Sequence, residues 1–535
     1  MKHAAARFLF GVIVAVLWTG VLVLGVVFWG RWEFESSLVN NRFIQARYGG
    51  GDWPLTADTQ LDPAKLDIAE REKWIGPGKS LQPVPLTAEQ QRDRWLARTS
   101  YFASLPEPLR YTFARMYRVD VYAADDRGRV INRYPDELAA PGGVPAGEIL
   151  PEALTALLEA DPGVADENPL WVMDPARTGS PPWAIRFQQG QAVHETAFGN
   201  ASEPATRFLF VPRNVDSPEH SLWDSEYFAM RPYYLEDDPP PGPGQPRGAF
   251  ISINNVGLRD YDVVLPKPSD VCRVLCVGAS TTYEGMHNLL TYPSVVEYLL
   301  NRKIGTRRVD VINAGVSGMN SAKHRVKMAD YLFLQPDIVV FYLGANDVMH
   351  VIYPTMKIWL DGPRQLLSLR PVKRVLWRIV LPDEPEIDSR IRNIQEDLKA
   401  VAEGFLARGV QVVFCTFAAP DPDLLTAEER SYLEYCIERE WGGDQCSYAA
   451  YYYLLSRYNL GLRQMSDNLG APCIPVAESV NGGLKWFGDI CHMRNPGIEK
   501  KARVIAEALE PLVGTCPGGV TLSGAGIPRN GSTGN

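Results

Sequence analysis

Histidine is scarce in this chain, with 7 among 535 residues, so each imidazole able to act as a base or a ligand is weighed singly. None of the 8 cysteines forms a Cys-x-x-Cys pair, which removes the usual signature of a redox centre or a structural zinc site. Positive charge is in deficit: 54 Lys and Arg face 63 Asp and Glu, a formal net charge of −9. That balance gives no support to a nucleic-acid partner, and none is expected. Charged residues make up 22% and hydrophobic residues 46%, a composition that excludes a wholly disordered chain. Glycine (45) and proline (42) are plentiful, so loops are numerous or long. The length corresponds to roughly two to four domains.

The longest apolar run is at the N-terminus. Between Phe8 and Gly30 there is no charged residue. A helix rises about 1.5 Å per residue, so this run can cross a hydrocarbon layer about 30 Å thick. Trp18 then lies inside the layer, while Trp29 and Trp32 suit its far interface. A secretory signal peptide would be shorter and followed by a small-residue cleavage site; FWGRWEF follows instead, which favours an uncleaved transmembrane anchor. Lys2 and Arg7 precede the run and Arg31 and Arg42 follow it, so flanking charge barely discriminates orientation. A single short anchor ahead of a soluble body points to a single-pass protein with its large C-terminal part extracytoplasmic, periplasmic if bacterial. All cysteines lie between Cys272 and Cys516. Cys436 and Cys446 are close enough for a local disulfide in an oxidising compartment, whereas Cys276 in RVLCVGAS reads as a small buried hydrophobe.

Residues 31–81 read as a juxtamembrane connector and 82–236 as a smaller β-rich or mixed accessory region. Within the latter, a helix is expected over Thr87 to Tyr117, interrupted near Pro106 and Pro108. YRVDVYAAD, PPWAIRFQQG and ATRFLFVP follow as strand-like pieces. The accessory tryptophans read as core packing ahead of a sugar platform. DDPPPGPGQPRG, residues 237–248, is a proline-rich linker or loop. From 249 to 515 the texture changes to short apolar runs: RVLCVGA (273–279), VDVINAG (309–315), DIVVFYLGA (337–345) and VQVVFCTFAA (410–419). Helical candidates span Tyr292–Lys303, Asn320–Phe333, Pro385–Arg408, 448–469 and Pro496–Leu512. This alternation predicts a three-layer α/β sandwich with a mainly parallel sheet. Residues 356–382 form an insertion rich in Arg, Lys, Leu and Trp. It reads first as a lid or packing segment and second as a surface for anionic headgroups. Residues 516–535 read as a flexible tail.

Ser280 follows the first of these strands in VLCVGASTTYEG, where a strand-to-helix turn can present a hydroxyl at the C-terminal sheet edge. DICH puts Asp489 three residues before His492. In a turn, that spacing lets the carboxylate face one ring nitrogen while the other faces Ser280, as a base and its orienting partner require. NAGVSG supplies Gly318 and GAND supplies Asn346 after the next two strands. With the Ser280 N–H, they are candidate donors for a tetrahedral oxyanion. Asp347 reads as ordering the Asn346 turn. His287 and His350 fall near the same predicted sheet edge, where His350 reads as structural ahead of a substrate contact, and His324 reads as helical. Glu284 and Asp347 form no coherent ligand set for a metal.

At these residues the chain resembles the SGNH/GDSL hydrolase superfamily. The blocks are GAST with Ser280, NAGVSG with Gly318, GAND with Asn346, and DICH with Asp489 and His492. Ala279 stands where the family usually has aspartate, a departure that removes no member of the proposed triad. The resemblance covers roughly residues 250–515. It implies a flavodoxin-like SGNH hydrolase domain with acyl chemistry and no cofactor. The roles it implies are Ser280, His492 and Asp489 as the catalytic triad, and Ser280, Gly318 and Asn346 as the oxyanion hole. It also implies an ester-bearing small molecule or an O-acetylated glycan as substrate; membrane lipid is expected as a partner from the N-terminal apolar run alone. Esterase or O-deacetylase activity is the leading expectation. O-acetyl transfer to a surface polysaccharide, and an inactive glycan-binding or assembly scaffold, are the alternatives.

Overall fold

The computed structural model describes residues 250–348, 383–440 and 447–516 without a break. From the first half it describes shorter pieces: 11–22, 24–25, 28, 32, 41, 43, 70–71, 73–76, 101–102, 104–117 and strand residues between 119 and 237.

Six strands of the accessory region form one antiparallel sheet: β1 (Val119–Ala124), β2 (Val130–Tyr134), β3 (Leu170–Asp174), β4 (Trp183–Gln188), β5 (Gln191–Ala197) and β6 (Arg207–Pro212). Their order is β2-β1-β6-β3-β4-β5. Two short hairpins follow, β7 (Trp223–Asp224) with β8 (Ala229–Met230) and β9 (Leu235–Asp237) with β10 (Phe250–Ser252). Because Asp237 pairs with Phe250, the chain turns back on itself across the proline-rich segment, which joins two partnered strands.

The C-terminal sheet is parallel throughout. Its strands are β11 (Cys272–Gly278), β12 (Val309–Gly315), β13 (Ile338–Tyr342), β14 (Gln411–Cys415) and β15 (Cys473–Ile474), in the order β12-β11-β13-β14-β15. Every residue of β11, β12 and β13 is buried, as expected where both faces of a parallel sheet are covered. The helices fall into two packed groups. Tyr292–Ile304 lies against Asn495–Val513, and Glu384–Leu406 lies against Ser321–Val326 and Tyr448–Leu469. Parallel crossovers are right-handed, so the reversal of direction after β12 puts the second group on the opposite face. The loops leaving β11 and β13 therefore run in opposite directions, and the C-terminal ends of these two strands form the topological switch point at which parallel sheets ordinarily take a ligand.

The interruption expected near Pro106 and Pro108 is there: residues 101, 102 and 104 are helical, the helix breaks at Leu105 and Pro106, and a new one, Glu107–Met116, starts with Pro108 in its first turn, where a fixed φ and a missing N–H are tolerated. The expected helix Asn320–Phe333 is two, Ser321–Val326 and Met328–Phe333, meeting at Lys327. The described parts of the connector are seated on the C-terminal domain. Arg71 pairs with Glu499 at 3.0 Å, Asn301 Nδ2 donates to the Trp74 carbonyl, and Asn41 Nδ2 donates to the Glu428 carbonyl. The helix Glu107–Met116 also shares the main core, with Phe113 edge-on to Phe333 at 6.3 Å.

Cys272 and Cys516 form a disulfide that ties the start of β11 to the end of the last helix. Cys446 lies outside the described residues, as does the 356–382 insertion. Residues 11–22 are helical, with Val12, Ile13, Val16, Leu17, Trp18, Val21 and Leu22 exposed. Among the described residues no helix is long and apolar enough to cross a membrane, and parts of the Phe8–Gly30 run fall outside them.

Candidate active site

Ser280 opens a one-turn helix, Ser280–Tyr283, directly beyond β11. The turn is possible because the strand ends carry no side chains. A Cβ on Gly278 would overlap Thr282 Oγ1 and come within 2.8 Å of the Tyr342 carbonyl oxygen. One on Gly315 would overlap the Tyr283 backbone nitrogen. Arg259, buried, donates to the carbonyls of Tyr283 and Gly285 at 2.6 Å each and lies over the Tyr283 ring, clamping the far end of the turn.

Three loops are stitched together at this sheet edge. The Val316 N–H donates to the Gly278 carbonyl at 3.1 Å, joining the β12 loop to the end of β11. Asn346 Nδ2 donates to the Met319 carbonyl at 2.8 Å, joining the β13 loop to the β12 loop. Gly318 sits in the latter with φ +74°, a conformation favoured by glycine. Asn346 is buried, and its amide has a second N–H beyond the one given to Met319. Asp347 accepts the Ser321 N–H at 2.8 Å and is buried, which fits the ordering role read for it. Burial pushes its carboxyl up to about 7.

The fourth loop brings the base. Asp489 Oδ1 accepts the N–H groups of Cys491 (2.9 Å) and His492 (2.7 Å), so DICH folds around its own aspartate. The Gly488 N–H to His492 carbonyl bond, 2.8 Å, closes the turn. Asp489 Oδ2 then faces His492 Nδ1 at 2.7 Å, and His492 Nε2 faces Ser280 Oγ at 2.8 Å. The three side chains sequence reading singled out are thus in one hydrogen-bonded line, although Ser280 and His492 are 212 positions apart. Burial disfavours the Asp489 carboxylate, but His492 and two backbone N–H donors outweigh it and bring its pKa down to about 2. Burial likewise disfavours a cationic His492, yet the adjacent Asp489 holds the ring well above its ordinary value. In the neutral ring, the ionised Asp489 keeps the proton on Nδ1 and leaves Nε2 to accept from the serine hydroxyl, the arrangement needed for general-base deprotonation.

Two further histidines make hydrogen bonds away from the triad. His287 Nδ1 accepts the Leu289 N–H, and His324 is buried against the Tyr331 hydroxyl at 2.6 Å; His350 lies outside the described residues. Among the described residues, Asp489, Cys491 and His492 could offer ligand atoms within 4.8 Å of one another, but Asp489 and His492 already engage each other and Ser280. Sequence reading missed Arg259 and Lys501 and weighed Glu284 only as a metal ligand. Lys501 did leave a signal: it falls on the same face of its helix as Ile498, Ala502, Ile505 and Leu509, all buried.

Solved structures similar to this chain include a lipase/acylhydrolase from Enterococcus faecalis, with 15% identity, 45% of this chain and 97% of that chain covered, and a TM-score of 0.29. An acetyl xylan esterase has 18% identity, coverage of 44% and 99%, and a TM-score of 0.28. A GDSL-like lipase from Bacteroides thetaiotaomicron has 14% identity, coverage of 46% and 93%, and a TM-score of 0.30. No protein-family model matches the chain, and no curated protein matches it.

Proposed function

We propose that this chain is a membrane-anchored serine esterase of the SGNH type that removes O-acetyl groups from a glycan through an acyl-serine intermediate. The observation that carries the reading is the Ser280–His492–Asp489 line, at 2.8 and 2.7 Å, at the switch-point edge of a parallel sheet. Ser280 Oγ attacks the ester carbonyl carbon while His492 Nε2 takes the hydroxyl proton. The carbonyl π electrons move to oxygen, where the Ser280 and Gly318 N–H groups and the Asn346 amide stabilise the negative charge. Collapse breaks the bond to the sugar oxygen, which leaves as an alcohol with the proton from His492. Water, deprotonated by the same histidine, then attacks the acyl-serine; acetate leaves and the serine hydroxyl is restored.

The glycan class follows from the sequence resemblance and the anchor. The exposed apolar helix at 11–22 supports membrane attachment, and the Cys272–Cys516 disulfide supports an oxidising, extracytoplasmic location. The test uses full-length protein in detergent with an activated acetyl ester, an acetylated polysaccharide and an unmodified glycan acceptor. Free acetate in stoichiometry with ester loss, and no acetyl on the acceptor, is the expected result. Acetyl recovered on the acceptor would replace hydrolysis with transfer. In sealed membrane vesicles of known sidedness, protease should reach the catalytic body only from the extracytoplasmic face; digestion from the cytoplasmic face defeats the location.

A further inference from the structure

Glu284 lies four residues after Ser280, where the one-turn helix ends. Its Oε2 accepts the N–H of Met493, the residue after His492, at 2.7 Å. Its Oε1 accepts Lys501 Nζ at 2.5 Å, and the same ammonium donates to the carbonyl of Thr281, the residue after Ser280, at 2.8 Å. One carboxylate–ammonium pair therefore bridges the immediate neighbours of the two side chains that face each other at 2.8 Å. Lys501 has no exposed side-chain surface and Glu284 has 5%. Behind the pair stand Tyr292 and Tyr342, whose rings face the ammonium at 4.6 and 4.5 Å.

Two opposite charges are a poor choice for stability alone at such a place. Desolvation offsets most of their attraction, and packed apolar residues of similar volume are often as stable or more so. Burial works against both charged forms here, raising the Glu284 carboxyl and lowering the Lys501 ammonium, and each partner counters the effect on the other. What an apolar pair cannot do is accept the Met493 N–H and donate to the Thr281 carbonyl simultaneously. We propose that Glu284 and Lys501 are a positioning pair that holds the His492 loop and the Ser280 turn in register for proton transfer. The inference rests on the serine reading above and extends it to two residues that touch neither substrate nor the reacting atoms.

The experiment compares full-length wild type, Lys501→Met and the double variant Glu284→Leu/Lys501→Met. The assays are turnover of an activated acetyl ester, labelling rate by a serine-directed fluorophosphonate, and thermal unfolding. Lys501→Met strands a buried carboxylate and is expected to destabilise. The double variant removes both charges but leaves the Met493 N–H and the Thr281 carbonyl without these partners, so its unfolding midpoint should lie between those of Lys501→Met and wild type. Because misplacement of about 1 Å costs about 10²-fold in rate, its kcat should fall by roughly 10- to 100-fold at unchanged KM, with labelling slowed by the same factor. A double variant with wild-type kcat and labelling rate overturns the proposal, as does a loss that only follows its unfolded fraction. Persistence of labelling in Ser280→Ala would instead defeat the serine assignment, which separates the two failures.

Discussion

Ser280→Ala should abolish steady-state turnover of an activated acetyl ester, a fall of roughly 10⁴- to 10⁶-fold in kcat. The hydroxyl is the only atom group removed, and the adjacent donors remain, so the residual rate is what the oxyanion site and substrate binding give over water. The side chain is partly exposed and packs no core, so the variant should keep the wild-type unfolding midpoint. Steady-state kinetics beside thermal unfolding therefore separates lost chemistry from lost fold. Retained turnover in a folded Ser280→Ala protein contradicts the nucleophile assignment.

Asp489→Asn carries the second largest effect, about 10⁴-fold in kcat with a much smaller change in KM. The substitution preserves shape and leaves an oxygen to accept the Cys491 and His492 N–H groups, so the DICH turn should survive. The Asn amide nitrogen would then meet His492 Nδ1 as a donor. That pairing makes Nδ1 the acceptor, moves the ring proton to Nε2 and leaves nothing to receive the serine proton. Loss of the carboxylate also removes the charge that holds His492 above its ordinary value. Neutral imidazole is the active form, so activity falls as pH drops through the His492 pKa. The acidic limb of kcat/KM should consequently lie above about 6.5 in wild type and move to lower pH in Asp489→Asn. A variant with wild-type kcat and an unmoved acidic limb would show that Asp489 neither orients nor charges the base.

The C-terminal sheet was legible because its strands are buried on both faces and read as continuous apolar runs. Val309–Gly315 and the helix Tyr448–Leu469 stand at the limits the sequence suggested. The two-residue strand Cys473–Ile474 was not legible: it is too short to show a period and exists only through its pairing with Phe414 and Cys415. Chain-distant ties are invisible for the same reason. The Cys272–Cys516 bond joins residues 244 apart, and nothing local in either segment signals it. The packing of Trp74 and Ile75 on the C-terminal domain depends on backbone carbonyls that accept from Asn301 and Arg307, contacts that side-chain patterning does not encode.

At the site, the order of GAST, NAGVSG, GAND and DICH placed Ser280, Gly318 and Asn346 after successive strands and put Asp489 beside His492. Those are local properties of turns. The fold adds what motifs cannot carry. Asn346 is tied to the Met319 carbonyl, Arg259 clamps the serine turn, and a buried lysine 217 residues from Glu284 meets it beneath the base.

Capture of the covalent intermediate tests the central claim most directly. Full-length wild type is mixed with an activated acetyl ester, quenched in acid before steady state, digested and mapped by mass spectrometry. The expected species carries one acetyl group on the Ser280 peptide, decays as acetate is released, and is absent from Ser280→Ala. Acetyl on another side chain, or turnover with no covalent species at any quench time, contradicts the account.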